Sequence, residues 1–517
     1  MTASGTESFA HGVASGDPLE DRVVIWTRVS GPGPGAVDVD WTVAKDPDLS
    51  DLVASGTARA DAESDWTVHV DVDDLQSGTT YYYGFSALGR RSPVGRTRTL
   101  AGPGTTHLRL ITVSCAKYNA GFFNAYGRIA ERDDIDFVLH LGDYIYEAAQ
   151  KPPGSQTPAA DIGREVDPLH ECVSLADYRR RYAHYHLDPQ LQALHAAHPL
   201  IATLDDHELA DGAWRDGSVE HQVDRDGAWA HRRAHAFRAR WEWLPTRRPV
   251  LEDSERVFRA IHIGGLADLF LIDTRSRRDK PVPPPAMHDP GRSALGHEQR
   301  GWLVEQLAAS IATWRLLANP SVLSQVWSDR LPTSVRPVLA EVKLIRNDGE
   351  GADFDQWDGY PVERDLLLRH VTDRGIDGVI VLSGDVHVSL ALEVRRNPFD
   401  PASPSVAVEF VTASLTSQNV DDKMRWPPRT ESIAIEQAMV EALPHLRWCE
   451  LDSHGYVVVD VTRERVIGEW WHVDTVLRPS TAEGCAARWT VERGAAGISG
   501  PEISGAGISA DTTTRPS

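Results

Sequence analysis

The chain has 517 residues, 41% of them hydrophobic and 25% charged, a balance that excludes intrinsic disorder as the general state. Against 75 Asp and Glu it carries 53 Lys and Arg, a formal net charge of −22. That charge argues against a sequence-independent binder of nucleic acid, which works by displacing counterions, and it suits a protein that collects hard cations, though solubility alone explains it as often.

In chain order, residues 1–8 read as a tail. Residues 23–29 predict a strand, followed by a Gly/Pro turn at 31–35, and 37–43 and 66–72 alternate apolar and polar as half-buried strands do. Leu75, the turn at Gly78 and Tyr81-Tyr82-Tyr83 resemble the tyrosine corner of fibronectin type III domains. Short strands with frequent turns predict an all-β sandwich over 9–103, left through a linker at 101–104. After Thr105 the texture changes. Apolar β-type runs alternate with stretches of helical period at 175–198, 232–243, 297–313 and 362–373, which predicts a layered α/β unit over 104–493 with strands buried on both faces. Residues 455–461 and 465–473 flank Thr462-Arg463-Glu464 as a hairpin. The Gly/Ser/Ala/Thr-rich residues 494–517 read as a loose tail. No apolar run approaches ~20 residues, so no transmembrane segment is expected. Residues 1–10 lack a basic region and an apolar core, so the sequence as given predicts a cytoplasmic protein, with export after removal of a signal peptide as the alternative. Cys115, Cys172, Cys449 and Cys485 are too few and too scattered for a disulfide scaffold or a Cys-x-x-Cys zinc site.

Four buried-type strands end in groups of metal-ligand type. Residues 108–113 end at Ser114-Cys115, and 137–141 at Gly142-Asp143-Tyr144-Ile145-Tyr146. Residues 200–204 end at Asp205-Asp206-His207-Glu208, and 379–382 at Ser383-Gly384-Asp385-Val386-His387. Sites form at the carboxyl ends of strands in α/β sheets, and buried acids gathered there repel unless cations neutralise them. A thiolate, a phenolate and an imidazole with carboxylate suit a transition metal, ferric iron above all, while further carboxylates suit calcium or magnesium. Two cations sharing a carboxylate such as Asp143 form a clamp for phosphoryl oxygens. Singly, each residue has a plainer reading. Cys115 reads as a small buried hydrophobe, Asp143 as a helix cap, Tyr146 as a core aromatic, 205–208 as a solvated helix start and His387 as a core histidine. The joint pattern is what argues for a metal site.

These motifs resemble the signature of the alkaline phosphatase D family, phosphodiesterases and phosphomonoesterases among the calcineurin-like metallophosphatases. His11-Gly12-Val13-Ala14-Ser15-Gly16-Asp17-Pro18 with Val24-Ile25-Trp26-Thr27-Arg28 is similar to that family's N-terminal β-domain, and residues 271–278, 295–299 and 357–361 also fit. The resemblance spans about residues 9–493. It implies an α/β fold, a four-layer αββα metallophosphatase sandwich preceded by an N-terminal all-β fibronectin/Ig-like sandwich. It implies that Cys115, Asp143, Tyr146 and His387 hold Fe3+, and that Asp143, Asp206 and Asp385 help hold one or two Ca2+, other divalent cations being alternatives. Asp143 is then the bridge, His207 the general acid, and Arg275, Trp357 and Tyr360 shape the substrate mouth. The implied reaction is hydrolysis of phosphate esters, diesters before monoesters, by in-line attack of a metal-bridging hydroxide. A phospholipase D-like activity on lipid head groups and a catalytically degenerate surface-binding module are the alternatives. The expected partners are small-molecule or lipid phosphate esters, with no nucleic-acid-binding domain. Family members often carry Asn-Asn after the Asp-His-Glu turn. This chain has Asp211-Gly212, which makes Asp211 the candidate replacement for a calcium ligand. Members are commonly exported by the twin-arginine route, for which these residues show no signal.

Two other motifs carry less. Ser414 follows the strand-like run 406–411 but lacks the Gly-x-Ser-x-Gly elbow of a serine hydrolase. His184, His186, His195 and His198 lack the regular helical spacing of a zinc site.

Overall fold

The computed structural model describes residues 7–31, 33, 35–151, 162–248, 253–346, 349–495 and 497–502. Two large sheets lie face to face. The ten-stranded sheet runs Ser499–Glu502, Glu483–Glu492, Arg465–Val473, Gly455–Thr462, His107–Val113, Phe137–His140, Pro199–Ala202, Val13–Gly16, Val23–Arg28 and Thr67–Val72. The seven-stranded sheet runs Arg259–Ile263, Ala267–Leu271, Trp314–Ala318, Val379–Ser383, Ser405–Val411, Ser389–Arg395 and Leu446–Glu450. The period-2 alternation of side chains decides what each face meets. Leu108 and Leu110 of the first sheet meet Leu316, Ile380 and Leu382 of the second in one apolar cluster. Ile111 and Val113 point the other way, into a cluster with the helices Asn124–Ala130, Leu175–Tyr185 and Trp229–Trp243. Val379 and Val381 likewise meet the helices Gly296–Ala309 and Pro361–Asp373. The result is the expected αββα stack.

The central strands His107–Val113, Phe137–His140 and Pro199–Ala202 are parallel. Val13–Gly16 joins them, pairing parallel with Pro199–Ala202. The N-terminal strands therefore extend the ten-stranded sheet. Their outer face packs Val13, Val23 and Ile25 on Val39, Val43, Tyr81 and Tyr83 of a five-stranded sheet. The Tyr81 hydroxyl accepts the Gln76 amide at 2.9 Å, as a tyrosine corner does.

Two expected elements differ. The helical stretch 175–198 is two helices, Leu175–Tyr185 and Pro189–Ala197. Pro189 stands at the start of the second, and Asp188 caps it by accepting the amides of Gln190 at 2.9 Å and Leu191 at 3.2 Å. The stretch 297–313 is helical only to Ala309, because the chain must turn into the strand Trp314–Ala318. Ser499–Glu502 pairs with Glu483–Glu492. Residues 1–6 and 503–517, where tails are expected, lie outside the described residues. Among the described residues no helix is long and apolar enough to cross a membrane.

Candidate metal centre

The four strand ends singled out in the sequence meet at one edge of the stack. Three belong to the ten-stranded sheet and the fourth, Val379–Ser383, to the sheet facing it. A parallel bridge between Ser114 and Ser414 ties the two sheets together there. Cys115 N donates to Gly142 O at 3.3 Å and Ala116 N to Asp143 O at 2.9 Å, which locks the first two loops to each other. Glu208 locks the third to them: its carboxylate accepts the amides of Asp143 (3.0 Å), Tyr144 (2.6 Å) and Asp205 (2.8 Å). Two glycines make the approach possible. At Gly142 (φ +113°) a Cβ would lie 2.5 Å from the Asp205 backbone nitrogen, and at Gly384 it would lie 2.7 Å from Ser114 Oγ.

Three donor groups result, each with its ligand atoms within 4.8 Å of one another: Cys115, Asp143 and His387; Asp143, Asp206 and His207; Asp205, Asp206 and Asp385. Asp143 belongs to the first two and Asp206 to the last two. Tyr146 Oη lies 2.8 Å from Asp143 Oδ2 and 3.4 Å from His387 Nε2. His387 Nδ1 faces Gln418 O at 3.0 Å, so this nitrogen carries the hydrogen and Nε2 keeps its lone pair for a cation. Cys115, Asp143, Asp385 and His387 all adopt left-handed backbone, with φ of 60°, 56°, 69° and 63°. Side chains rarely accept that conformation, and its concentration at four ligand-type residues marks a site held in place by its surroundings.

Burial and mutual repulsion hold the donor groups in their neutral forms. Burial, and then Asp206, Glu208 and Asp385 against the opposing pull of His207, push the Asp143 carboxyl well above the usual carboxylate range. Burial with Asp143 and Asp385 pushes the Cys115 thiol up, and burial with Asp143 and Cys115 does the same to the Tyr146 phenol. Burial pushes His387 well below the ordinary imidazole value, which leaves it a neutral donor. Thiol, phenol and carboxyl convert to anionic donors only where bound positive charge offsets this cost, so the donor set fits a transition metal beside a hard cation.

Arg275 is not at the mouth of the site. It is fully buried and pairs with Asp205, with Asp355 and with Asp385 at 2.7 Å. It supplies counter-charge beneath the third donor group, where Asp385 also accepts from Gln356. Trp357 and Tyr360 do not line the cavity either, being 1% and 2% exposed. Trp357 Nε1 donates to Asn319 Oδ1 at 3.0 Å and the Tyr360 hydroxyl to Asp279 O at 2.5 Å. Their rings fill the core between the helix Pro361–Asp373 and its sheet, while Asp355, Gln356 and Asp358 of the same segment face the cavity. The cavity has an acidic end at Asp143, Asp206 and Asp211, and an apolar wall that includes Val326, Leu331, Leu339, Val388 and Met439. Lys343, Arg346 and Lys423 also line it.

Glu147 was missed in the sequence. Its Oε2 lies 2.7 Å from His207 Nδ1 and its Oε1 accepts the Asp211 amide at 2.7 Å. Burial works against its charge, yet His207 draws the carboxyl down to about 2. In return, against burial, Glu147, Asp143 and Asp206 hold His207 well above the ordinary imidazole value. The only signal was position, directly after Tyr146.

Comparisons with known proteins point to one family. The family described as PhoD-like phosphatase matches residues 110–470, and its N-terminal domain matches residues 1–101. Alkaline phosphatase D of Bacillus subtilis (strain 168) is 33% identical over 514 residues, covering 95% of this chain and 82% of that protein. A solved structure described as Structure of PhoD superposes with a TM-score of 0.84 at 31% identity, covering 98% of this chain and 95% of that one.

Proposed function

This chain belongs to the PhoD-like phosphatase family and is a metal-dependent hydrolase of phosphate esters, and from that premise we propose which residues hold its cations and which move its proton. Cys115, Asp143, Tyr146 and His387 hold a ferric ion. Asp143 and Asp206, with Asp385, hold calcium, and Asp143 is shared. The observation that carries this reading is the membership of Asp143 in two adjoining donor groups, one with the Cys115 thiol and the His387 imidazole and one with Asp206 and His207, Asp206 in turn belonging to the all-carboxylate group with Asp205 and Asp385. Bound there, the cations neutralise the phosphoryl oxygens and activate water for attack on phosphorus. The protein's own share is orientation and proton transfer. His207 lines the cavity with its Nδ1 held by Glu147, so its other nitrogen is the one that delivers a proton to the leaving oxygen. The apolar wall beside the acidic end gives a second ester arm a place to lie, which favours diesters over monoesters. The separate family matches at 1–101 and 110–470 support a division of the chain near residue 103.

The test is turnover of bis-p-nitrophenyl phosphate and p-nitrophenyl phosphate by the purified chain. The reading expects faster diester hydrolysis, loss of both activities on chelation, and recovery only when iron and calcium are both returned. Activity that survives exhaustive chelation, or that magnesium alone restores, overturns the assigned metals.

A further inference from the structure

Ser414 lacks a nucleophile elbow, yet the fold gives it partners. His454 Nε2 lies 3.0 Å from Asp422 Oδ2, and its Nδ1 lies 3.0 Å from Ser414 Oγ. These are the residue types of a hydrolytic triad. Ser414 is fully buried, however, and its hydroxyl donates to the Ser417 carbonyl at 2.5 Å. It faces no substrate, and its one hydrogen is already placed. His454 must then carry hydrogens on both ring nitrogens, one directed to Asp422 and one to Ser414 Oγ. Burial opposes that charge, but the bonded Asp422 raises the His454 pKa above the ordinary value. The array is a rigid brace.

What it braces is Ser417, whose hydroxyl donates to Tyr146 Oη at 2.6 Å. The same segment touches two more of the residues assigned to the ferric ion. Ser417 N and Thr416 N lie 3.3 and 3.4 Å from Cys115 O, and Gln418 O takes the hydrogen on His387 Nδ1. Leu415 N donates to Ser114 O at 2.9 Å, so the segment is stitched to the first site loop from end to end. As a phenol, Tyr146 directs its own hydrogen to Asp143 Oδ2. Once Tyr146 is a phenolate that hydrogen is gone, and Ser417 remains as a donor to the charged oxygen, a stronger bond than the neutral one.

We propose that Ser417 is a positioning residue of the metal centre, donating to the Tyr146 phenolate and weakening its electron donation to iron, with Ser414, His454 and Asp422 fixing its place. The inference rests on the assignment of Tyr146 to a ferric ion. Groups that hydrogen-bond to ligands tune both the affinity and the electronics of a site.

The test uses the full chain loaded with iron and calcium, as Ser417→Ala, Ser417→Cys, Ser414→Ala and Tyr146→Phe. A ferric phenolate gives a visible charge-transfer band. Without its donor the phenolate gives up charge more easily, so Ser417→Ala moves the band to longer wavelength at unchanged iron content. In competition with a chelator it also binds iron about 10-fold more weakly, because the strong bond to the charged oxygen stabilises the phenolate only in the loaded protein and its loss outweighs the gain in electron donation, the lower end of the cost of removing such a partner. The thiol of Ser417→Cys, a weak donor, gives an intermediate shift. Ser414→Ala, which keeps the donor but loosens it, shifts the band in the same direction and covers the case in which Ser417→Ala fails to fold. If Tyr146→Phe abolishes the band while Ser417→Ala and Ser414→Ala match the wild type in wavelength and affinity, the inference is wrong and the iron assignment stands. If iron-loaded wild type shows no band, the Tyr146 assignment fails and the inference falls with it.

Discussion

Asp143→Asn strips the protein of its cations and stops turnover, while making the metal-free fold more stable at neutral pH. Both effects have one cause. Asp143 is the carboxylate common to two donor groups, and it is buried beside Asp206, Glu208 and Asp385. Bound cations contribute several kcal/mol of transition-state stabilisation, and at 1.36 kcal/mol per tenfold a loss of ~4 kcal/mol lowers kcat about 10³-fold. Without cations the same carboxyl is a burden. Its folded pKa is raised, so its contribution to stability is intact below the ordinary carboxylate value and is lost as pH rises from there towards the folded value. Asparagine has no proton to lose. In chelator at pH 7 the variant should melt above the wild type, and the gap should close near pH 4. Metal analysis, turnover and thermal melts at the two pH values check this. A variant that keeps its metals and its rate contradicts the bridging role.

His207→Ala lowers kcat by about 10² to 10⁴-fold, the range for removing a positioned general acid. The loss should be largest for esters with alkoxide leaving groups, which need the proton, and smaller for p-nitrophenolate, which does not. Glu147→Gln isolates the cause. A general acid works only while protonated, so activity falls as pH rises through its pKa. In the wild type Glu147 holds that pKa up. With the charge gone the His207 pKa drops, and the alkaline limb of the kcat profile moves to lower pH while the hydrogen-bond geometry is retained. An unmoved alkaline limb, or equal losses for good and poor leaving groups, assigns the proton transfer elsewhere.

Much of the site was legible because its residues break a local rule. The run 379–382 is uniformly apolar and 108–113 is broken only by Arg109 and Thr112, and a thiol, acid or imidazole recurring just past the ends of four such strands is more than the packing or capping role open to each one singly explains. That the four ends gather at one site followed from the joint pattern, but the stacking that brings them together was not legible. It lays two sheets together so that Val379–Ser383 ends over His107–Val113 and Phe137–His140, a pairing no local pattern encodes. Glu147 and Ser417 escaped notice for different reasons. Glu147 stands in an irregular loop where an acid is unremarkable, and Ser417 carries neither charge nor period. Trp357 and Tyr360 were placed at the mouth by the family resemblance alone, whereas the turn before the helix Pro361–Asp373 directs both rings inward. Arg275 lies just past a strand end as the ligands do, but four neighbouring carboxylates claim its guanidinium. In the fold, Pro189 was visible, yet the apolar period ran on either side of it and hid the break. The union of the N-terminal strands with the large sheet rests on Val13–Gly16 lying parallel to Pro199–Ala202, a contact between distant parts of the chain.

An anomalous difference map, recorded at the iron edge from crystals of the metal-loaded protein, bears most directly on the claim that these loops exist to hold cations. It should show one strong peak enclosed by Cys115 Sγ, an Asp143 oxygen, Tyr146 Oη and His387 Nε2. No peak at that point, or iron found instead at the separate acidic group of Glu436, Glu450 and Asp452, would contradict it.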